Sequence, residues 1–337
     1  FVACGNPAYI GRYDMVQDVK PGGIFLLNCP WEGEELDHHL PADVKRYIAD
    51  NNVRFYTVDA AGLARQIKLK GRINTIIQSA FFSLTNIIPM DDAEKYLADS
   101  IVKSYGRKGE NVVKMNLDAV QAGKVGYKLI EVPECWKSAC TDCDSAEVFV
   151  GRDQAQTDYL NNIFAPSNYL RGDSIPVSRF VNTVGGEIPA GTAAFEKRRV
   201  AAEVPTWDAT KCIQCHWCSA VCPHAVMRPF ALSEETAAAC GAETLELKGD
   251  NTKRFIIAIS AADCTGCGSC VEMCMAREKA LKLVPAESVV DEQQKVFDYV
   301  KANALDYNVG ADNIRNSQFL RPLLEYSGAC PGCGETP

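Results

Sequence analysis

Two cysteine runs with one spacing constrain this chain more than anything else in it. The first is Cys212-x2-Cys215-x2-Cys218-x3-Cys222-Pro223 and the second is Cys264-x2-Cys267-x2-Cys270-x3-Cys274, each cysteine of the second lying 52 residues after its counterpart. The pattern is an internal duplication. Three thiolates two residues apart curl around one iron–sulfur cube, while the fourth, on a following helical turn, points to another. In two-cluster modules of this spacing the fourth cysteine of each run serves the other cluster. Cys212, Cys215, Cys218 and Cys274 are therefore expected to hold one 4Fe-4S cluster, and Cys264, Cys267, Cys270 and Cys222 its mate. The competing reading is a zinc site or structural thiols. A lone C-x2-C would leave it open, but zinc wants four ligands at two paired spacings rather than two full runs of this kind.

The repeats are unequal. Gly266 and Gly268 let backbone N–H groups approach sulfide, whereas Ile213, Gln214, His216 and Trp217 line the first loop, so two different potentials are expected. His216 and Trp217 read as shielding and packing residues rather than ligands. Met275 stands where the first run has Pro223, a change that leaves ligation intact because proline there only ends a turn. The 41 residues between Cys222 and Cys264 exceed what a minimal module needs, and the surplus, Arg228 to Phe255, is expected to pack against a neighbouring domain.

The remaining cysteines are less informative. Cys135-x4-Cys140-x2-Cys143 matches three ligands of a two-iron spacing but lacks a nearby fourth, and Cys4, Cys29 and Cys240 read as buried small hydrophobes. Cys330-Pro331-Gly332-Cys333 is half a cluster site. Of sixteen cysteines, eight fall in two tight matching groups, which points to metal and a reducing compartment rather than to secretion and disulfides.

A chain of 337 residues has room for two or three domains, and a net charge of −8 without any basic stripe argues against nucleic acid. Residues 23–28 and 53–58 are short apolar or β-rich runs, fit for buried parallel strands. Helices are expected over 41–52, 73–88, 91–106, 110–121 and 291–303, the third opened by a capping box of Asp91 and Glu94. The 73–90 run carries no charge but too many polar groups for lipid, so no membrane span is expected. From Tyr127 to Ala201 turn residues multiply and periodicity fades, giving a segment with little regular structure. The first residues lack a leader pattern and the last stop inside a motif, so the chain reads as an internal piece of something longer.

Four stretches together resemble a known family. They are Gly71-Arg72-Ile73-Asn74-Thr75 running on to Pro89, Tyr105-Gly106-Arg107-Lys108-Gly109-Glu110, the tripeptide Glu196-Lys197-Arg198, and the doubled cysteine run. With the terminal Ser327-Gly328-Ala329-Cys330-Pro331-Gly332-Cys333-Gly334-Glu335-Thr336, they resemble the central part of the pyruvate:ferredoxin (or flavodoxin) oxidoreductases, over essentially the whole chain. The resemblance implies a multidomain α/β plus α+β chain: an open α/β domain, an irregular linker domain and a bacterial-type ferredoxin-like domain with two 4Fe-4S clusters. It implies a gamma-type α/β domain at 1–130, a linker with the Glu-Lys-Arg segment at 131–201, the two-cluster domain at 202–290, and the start of a thiamine diphosphate domain at 291–337.

It also implies the activity of the parent protein: pyruvate and coenzyme A to acetyl-CoA and CO2, with electrons leaving through 4Fe-4S clusters to ferredoxin or flavodoxin. Cys330 and Cys333 would be part of a third 4Fe-4S site, and thiamine diphosphate, Mg2+ and CoA would belong to the full-length parent. The Glu196-Lys197-Arg198 tripeptide would make inter-domain ion pairs. A homodimer in the cytoplasm, or in a reducing, anaerobic organelle such as a hydrogenosome, goes with the resemblance, and no catalytic residue is expected in this piece. Two other readings stay open: the electron-transfer module of another oxidoreductase, and a sibling enzyme for 2-oxoglutarate or indolepyruvate.

Overall fold

The apolar run at 24–28 forms the buried centre of a four-stranded sheet. In the computed structural model, which describes residues 1–69, 72–140 and 148–320, the chain divides into two units, Phe1–Glu187 and Ile188–Pro337. The first begins with β1 (Val2–Cys4), β2 (Ile24–Asn28), α1 (Gly33–His39), α2 (Ala42–Asp50), β3 (Arg54–Val58) and α3 (Ala60–Gln66). It continues with α4 (Asn74–Thr85), α5 (Met90–Tyr105), α6 (Glu110–Val125), β4 (Tyr127–Leu129), α7 (Gln154–Tyr159) and α8 (Ala165–Asn168). The sheet order is β1-β2-β3-β4, the first three strands parallel and β4 antiparallel at the edge.

Alternation along β2 explains why helices cover both faces. Phe25 and Leu27 point to one side, where Val44 and Ile48 of α2 meet them, and Leu26 points to the other, against Ala60 of α3 and Ile76 and Ala80 of α4. Burying each of these large side chains contributes about 1.5–3 kcal/mol. Cys4, Cys29 and Cys240 are buried, as expected of small hydrophobes. Burial pushes the Cys4 thiol up to about 11 and that of Cys29 up to about 12.

Several helix ends differ from the sequence reading for local reasons. α4 stops at Thr85 rather than near Ile88, because Asn86 takes a left-handed φ of 47° and its N–H bonds back to Phe82. The capping box is absent: α5 begins at Met90 behind Pro89, and Glu94 forms an ion pair with Lys124 of α6 instead. Among the described residues no helix is long and apolar enough to cross a membrane.

The second unit contains β5 (Glu203–Trp207), α9 (Trp217–Ala220), β6 (Met227–Leu232), α10 (Glu234–Ala239), β7 (Leu245–Leu247) and β8 (Asp250–Ile259). α11 (Ser269–Glu272), β9 (Leu281–Pro285), α12 (Val290–Asn303) and α13 (Ile314–Ser317) follow. Two antiparallel pairings bring the cysteine runs face to face. The strand that enters the first run, β5, pairs with the strand that leaves the second, β9, from Glu203↔Pro285 to Trp207↔Leu281. The strand that leaves the first run, β6, pairs with the strand that enters the second, β8, from Met227↔Ile259 to Leu232↔Arg254.

The surplus at 228–255 folds onto its own module. It supplies most of a β6-β8-β7 sheet in which every residue of β6 is buried. Phe297 of α12 closes one face, fully buried and edge-on to Phe230 at 5.8 Å between ring centres. Six consecutive buried residues mark a core strand, which is why this stretch is part of the unit's own hydrophobic centre.

Candidate iron–sulfur centre

The duplication seen in the cysteines is repeated in the backbone. A short 3-10 turn precedes each run, Ala209–Lys211 before Cys212 and Ala261–Asp263 before Cys264. Two positions later in each loop an N–H points at the first sulfur: Gln214 N donates to Cys212 Sγ at 3.4 Å, and Gly266 N donates to Cys264 Sγ at 3.4 Å. The same two loop positions are left-handed in both repeats, with φ of 55° at Gln214 and 63° at His216 against 69° at Gly266 and 77° at Gly268.

Left-handed backbone is free for glycine and costly for other residues, so the first loop needs anchors that the second does not. Gln214 supplies one: its Nε2 donates to the Glu246 carbonyl at 2.7 Å and its Oε1 accepts from Lys248 N at 2.9 Å. His216 supplies the other. Its ring stacks on Phe255 with centres 5.3 Å apart, and Nδ1 lies 2.7 Å from the Arg315 carbonyl. A carbonyl only accepts, so Nδ1 carries the proton, and burial pulls the His216 pKa down to about 4, keeping the ring neutral. The packing role expected of His216 is the one it has. In the second loop a Cβ at position 266 would stand 2.9 Å from the Glu203 carbonyl, so glycine is required there by space as well as by φ.

A hollow opens between the runs, and the four cysteines that line it are Cys212, Cys215, Cys218 and Cys274. Three come from the first run and one from the second. Trp207 also lines it, and its buried indole Nε1 meets no oxygen or nitrogen acceptor, its side chain acting instead as a donor toward the Cys212 sulfur. A donor turned to a ligand sulfur suits a sulfur-rich group in the hollow, so the residues present fit a cluster. Cys222 belongs with the other set: the sulfurs whose like charge acts on Cys270 are those of Cys264, Cys222 and Cys267. Cys274 Sγ accepts from Ala280 N at 3.3 Å, and the following Met275 is exposed.

Burial is the first cause of the high pKa of most of these thiols. It pushes Cys212 and Cys218 up, Cys264 to about 11 and Cys270 to about 12, with neighbouring sulfurs adding to each. For Cys267 burial also acts upward, but hydrogen bonds with the Ser269 and Thr265 side chains and with the Ser269 and Cys267 backbone together outweigh it and lower the thiol. Iron binding is what would ionise the buried members, since a coordinated thiol is deprotonated outright. Among the described residues no three His, Cys, Asp or Glu side chains converge tightly enough to hold a single ion. A cube takes its thiolates at four separate corners, whereas one zinc ion needs every sulfur at about 2.3 Å.

Cys135 and Cys140 are exposed, and Cys143 lies outside the described residues, as do Cys330 and Cys333. In the Glu-Lys-Arg tripeptide, Lys197 Nζ pairs with Asp263 at 2.5 Å, while Arg198 pairs with Glu196 at 2.9 Å. Asp263 and Trp207 are the neighbours of the site that the sequence did not reveal. Asp263 directly precedes Cys264, a signal that was available, but Trp207 reaches the hollow only through the pairing of β5 with β9.

Residues 211–277 match the family model of the 4Fe-4S dicluster domain. Doubled cysteine loops on paired strands, with this match over them, define an iron–sulfur protein of the two-cluster ferredoxin class. Residues 1–125 match the model described as pyruvate ferredoxin/flavodoxin oxidoreductase, and 148–201 one described as a domain of unknown function. Over 100% of its length the chain is 43% identical to pyruvate:ferredoxin oxidoreductase from Moorella thermoacetica and 42% identical to pyruvate-flavodoxin oxidoreductase from Klebsiella pneumoniae. It is 37% identical, again over 100% of its length, to mitochondrial pyruvate dehydrogenase (NADP+) from Euglena gracilis, of which it covers 18%. The chain belongs to the pyruvate:ferredoxin/flavodoxin oxidoreductase family, and it spans 28% of the length of the Moorella and Klebsiella proteins.

Proposed function

We propose that this chain is the electron-transfer part of a pyruvate:ferredoxin (or flavodoxin) oxidoreductase. In the whole protein pyruvate and coenzyme A would give acetyl-CoA and CO2, and the electrons would leave through this chain to ferredoxin or flavodoxin. The observation that carries the reading is the exchange of fourth cysteines between runs. Cys274 shares a hollow with Cys212, Cys215 and Cys218, and Cys222 neighbours Cys264, Cys267 and Cys270. We assign the first four as ligands of one 4Fe-4S cluster and the second four as ligands of the other.

Bound there, each cluster supplies storage for one electron at a time. The chain does the rest. Ile257, Leu281 and Trp207 wall the first hollow against water. The N–H groups of Gln214, Gly266 and Ala280 donate to ligand sulfurs and ease the added negative charge on reduction. Cys270, from the second set, acts as a like charge on Cys218, from the first, so the two sets approach each other there.

The remaining assignments follow the family. Residues 1–130 would be a gamma-type α/β domain, 131–201 a linker, 202–290 the two-cluster domain, and 291–337 the start of the thiamine diphosphate domain. Cys330 and Cys333 would ligate part of a third 4Fe-4S cluster, with thiamine diphosphate, Mg2+ and CoA held by the full-length homodimer in a reducing compartment. The chain, loaded anaerobically and reduced with dithionite, is expected to pass electrons to ferredoxin or flavodoxin in stopped-flow mixing. It is expected not to oxidise pyruvate when thiamine diphosphate, Mg2+ and CoA are added. Failure to reduce either acceptor, or pyruvate oxidation by the chain alone, would overturn this division of labour.

A further inference from the structure

Lys197 is not an iron ligand, yet its ammonium group is fixed beside the second cysteine run. Two non-glycine residues in left-handed backbone, Lys197 at φ 37° and Arg199 at φ 54°, flank Arg198 and fold the segment tightly. Arg199 fastens it on both sides: its N–H donates to the Ala262 carbonyl at 2.8 Å, and its guanidinium pairs with Asp291 at 2.7 Å. Lys197 Nζ then meets Asp263 Oδ2 at 2.5 Å and Ser260 Oγ at 3.4 Å. The Asp263 carboxylate is only 4% exposed and also accepts from Ser260 Oγ at 2.6 Å. Gln294 braces the same turn by accepting from Ala262 N at 3.0 Å.

Asp263 directly precedes Cys264, and its carboxylate acts on that sulfur as a like charge. The duplication makes the contrast sharp. The counterpart of Asp263, 52 residues earlier, is Lys211, so the first run is preceded by a cation where the second is preceded by an acid. Lys211 is half exposed and pairs with Asp208 at 3.2 Å. An uncompensated carboxylate in a buried position opposes addition of an electron to the cluster beside it, and a buried ammonium favours it.

We propose that Lys197 sets the potential of the cluster at Cys264, Cys267, Cys270 and Cys222, by cancelling the negative charge that Asp263 places against it. The assignment rests on the electron-transfer reading above, and gives a specific task to a residue of the segment whose family model is described as a domain of unknown function. Lys197 is a positioning residue for charge: one electron enters the cluster, no bond to Lys197 forms, and no proton is transferred.

The test is a redox titration of the full chain, loaded anaerobically with iron and sulfide and followed by EPR, with iron content measured alongside. Lys197→Met is expected to lower the constant for one-electron reduction of this cluster by about tenfold, a shift of about 59 mV to more negative potential. The other cluster and the iron content should not change. Lys197→Arg should stay close to the unmodified chain. Asp263→Asn should move the same cluster to more positive potential, and the double variant should return toward the starting value. A bracing role alone predicts no such opposition of sign. Single variants that retain iron with unmoved potentials, or that shift in the same direction, overturn the inference, as does loss of the cluster in both. A chain that takes up no clusters at all overturns the electron-transfer reading as well, which separates the two failures.

Discussion

Cys222→Ala is expected to halve the bound iron of the chain, from about eight atoms to about four, and to remove the cluster that is distant in sequence. The lost cluster is the one on Cys264, Cys267 and Cys270, because β6 leaves Cys222 and runs antiparallel to β8, which leads into Cys264. The pairing of Met227 with Ile259 brings the end of one run to the start of the other, so Cys222 joins a set to which its own run contributes no other member. Cys212, Cys215 and Cys218 are expected to keep a complete set through Cys274, with which they share a hollow. EPR of the reduced variant should show one isolated cluster in place of a coupled pair, and Cys274→Ala should leave the opposite one. Loss of the cluster on Cys212, Cys215 and Cys218 in the Cys222 variant would contradict the shared arrangement.

Phe255→Ala is expected to destabilise the second unit by about 3–5 kcal/mol, the usual cost of emptying a fully buried aromatic site. Phe255 is 0% exposed, at the centre of β8. Its ring face supports the His216 ring at 5.3 Å, and Trp207 stands edge-on to it at 6.1 Å between centres. His216 holds one of the left-handed turns of the first loop and Trp207 lines the first hollow, so the cavity opens beneath both. Denaturant unfolding should show the second unit melting early while the first keeps its transition. Iron should leave the first cluster for a chelator faster than in the unmodified chain, and the second should be affected less. Equal release from both, with stability unchanged, would mean that the aromatic stack does not support the loop.

The cysteine pattern was readable because each run fixes three ligands of a cube within a few residues of chain, and the duplication itself signals where the fourth comes from. The central strand at 24–28 and the helices at 42–50 and 110–125 were readable for the same kind of reason, since apolar periodicity is local. What was missed depends on partners far along the chain. Glu94 fits a capping box by spacing but is drawn to Lys124, thirty residues on. Gln214 and His216 look like poor substitutes for Gly266 and Gly268 until Glu246, Lys248 and Arg315 are seen holding them. The helix at Gly33–His39 buries only Leu36, so it carries no periodic signal. The stretch from Arg228 to Phe255 read as surplus because β6, buried at every residue, shows no alternation, and only its pairing with β8 makes it core.

The central claim is that this chain holds two cubes on eight shared thiolates, and metal analysis with EPR tests it most directly. The chain should be loaded anaerobically, freed of loose iron, assayed for iron, acid-labile sulfide and zinc, and then reduced. About eight irons and eight sulfides per chain, with interacting paramagnetic signals from two reduced clusters, is the predicted result. About four irons, or zinc in their place, would contradict it.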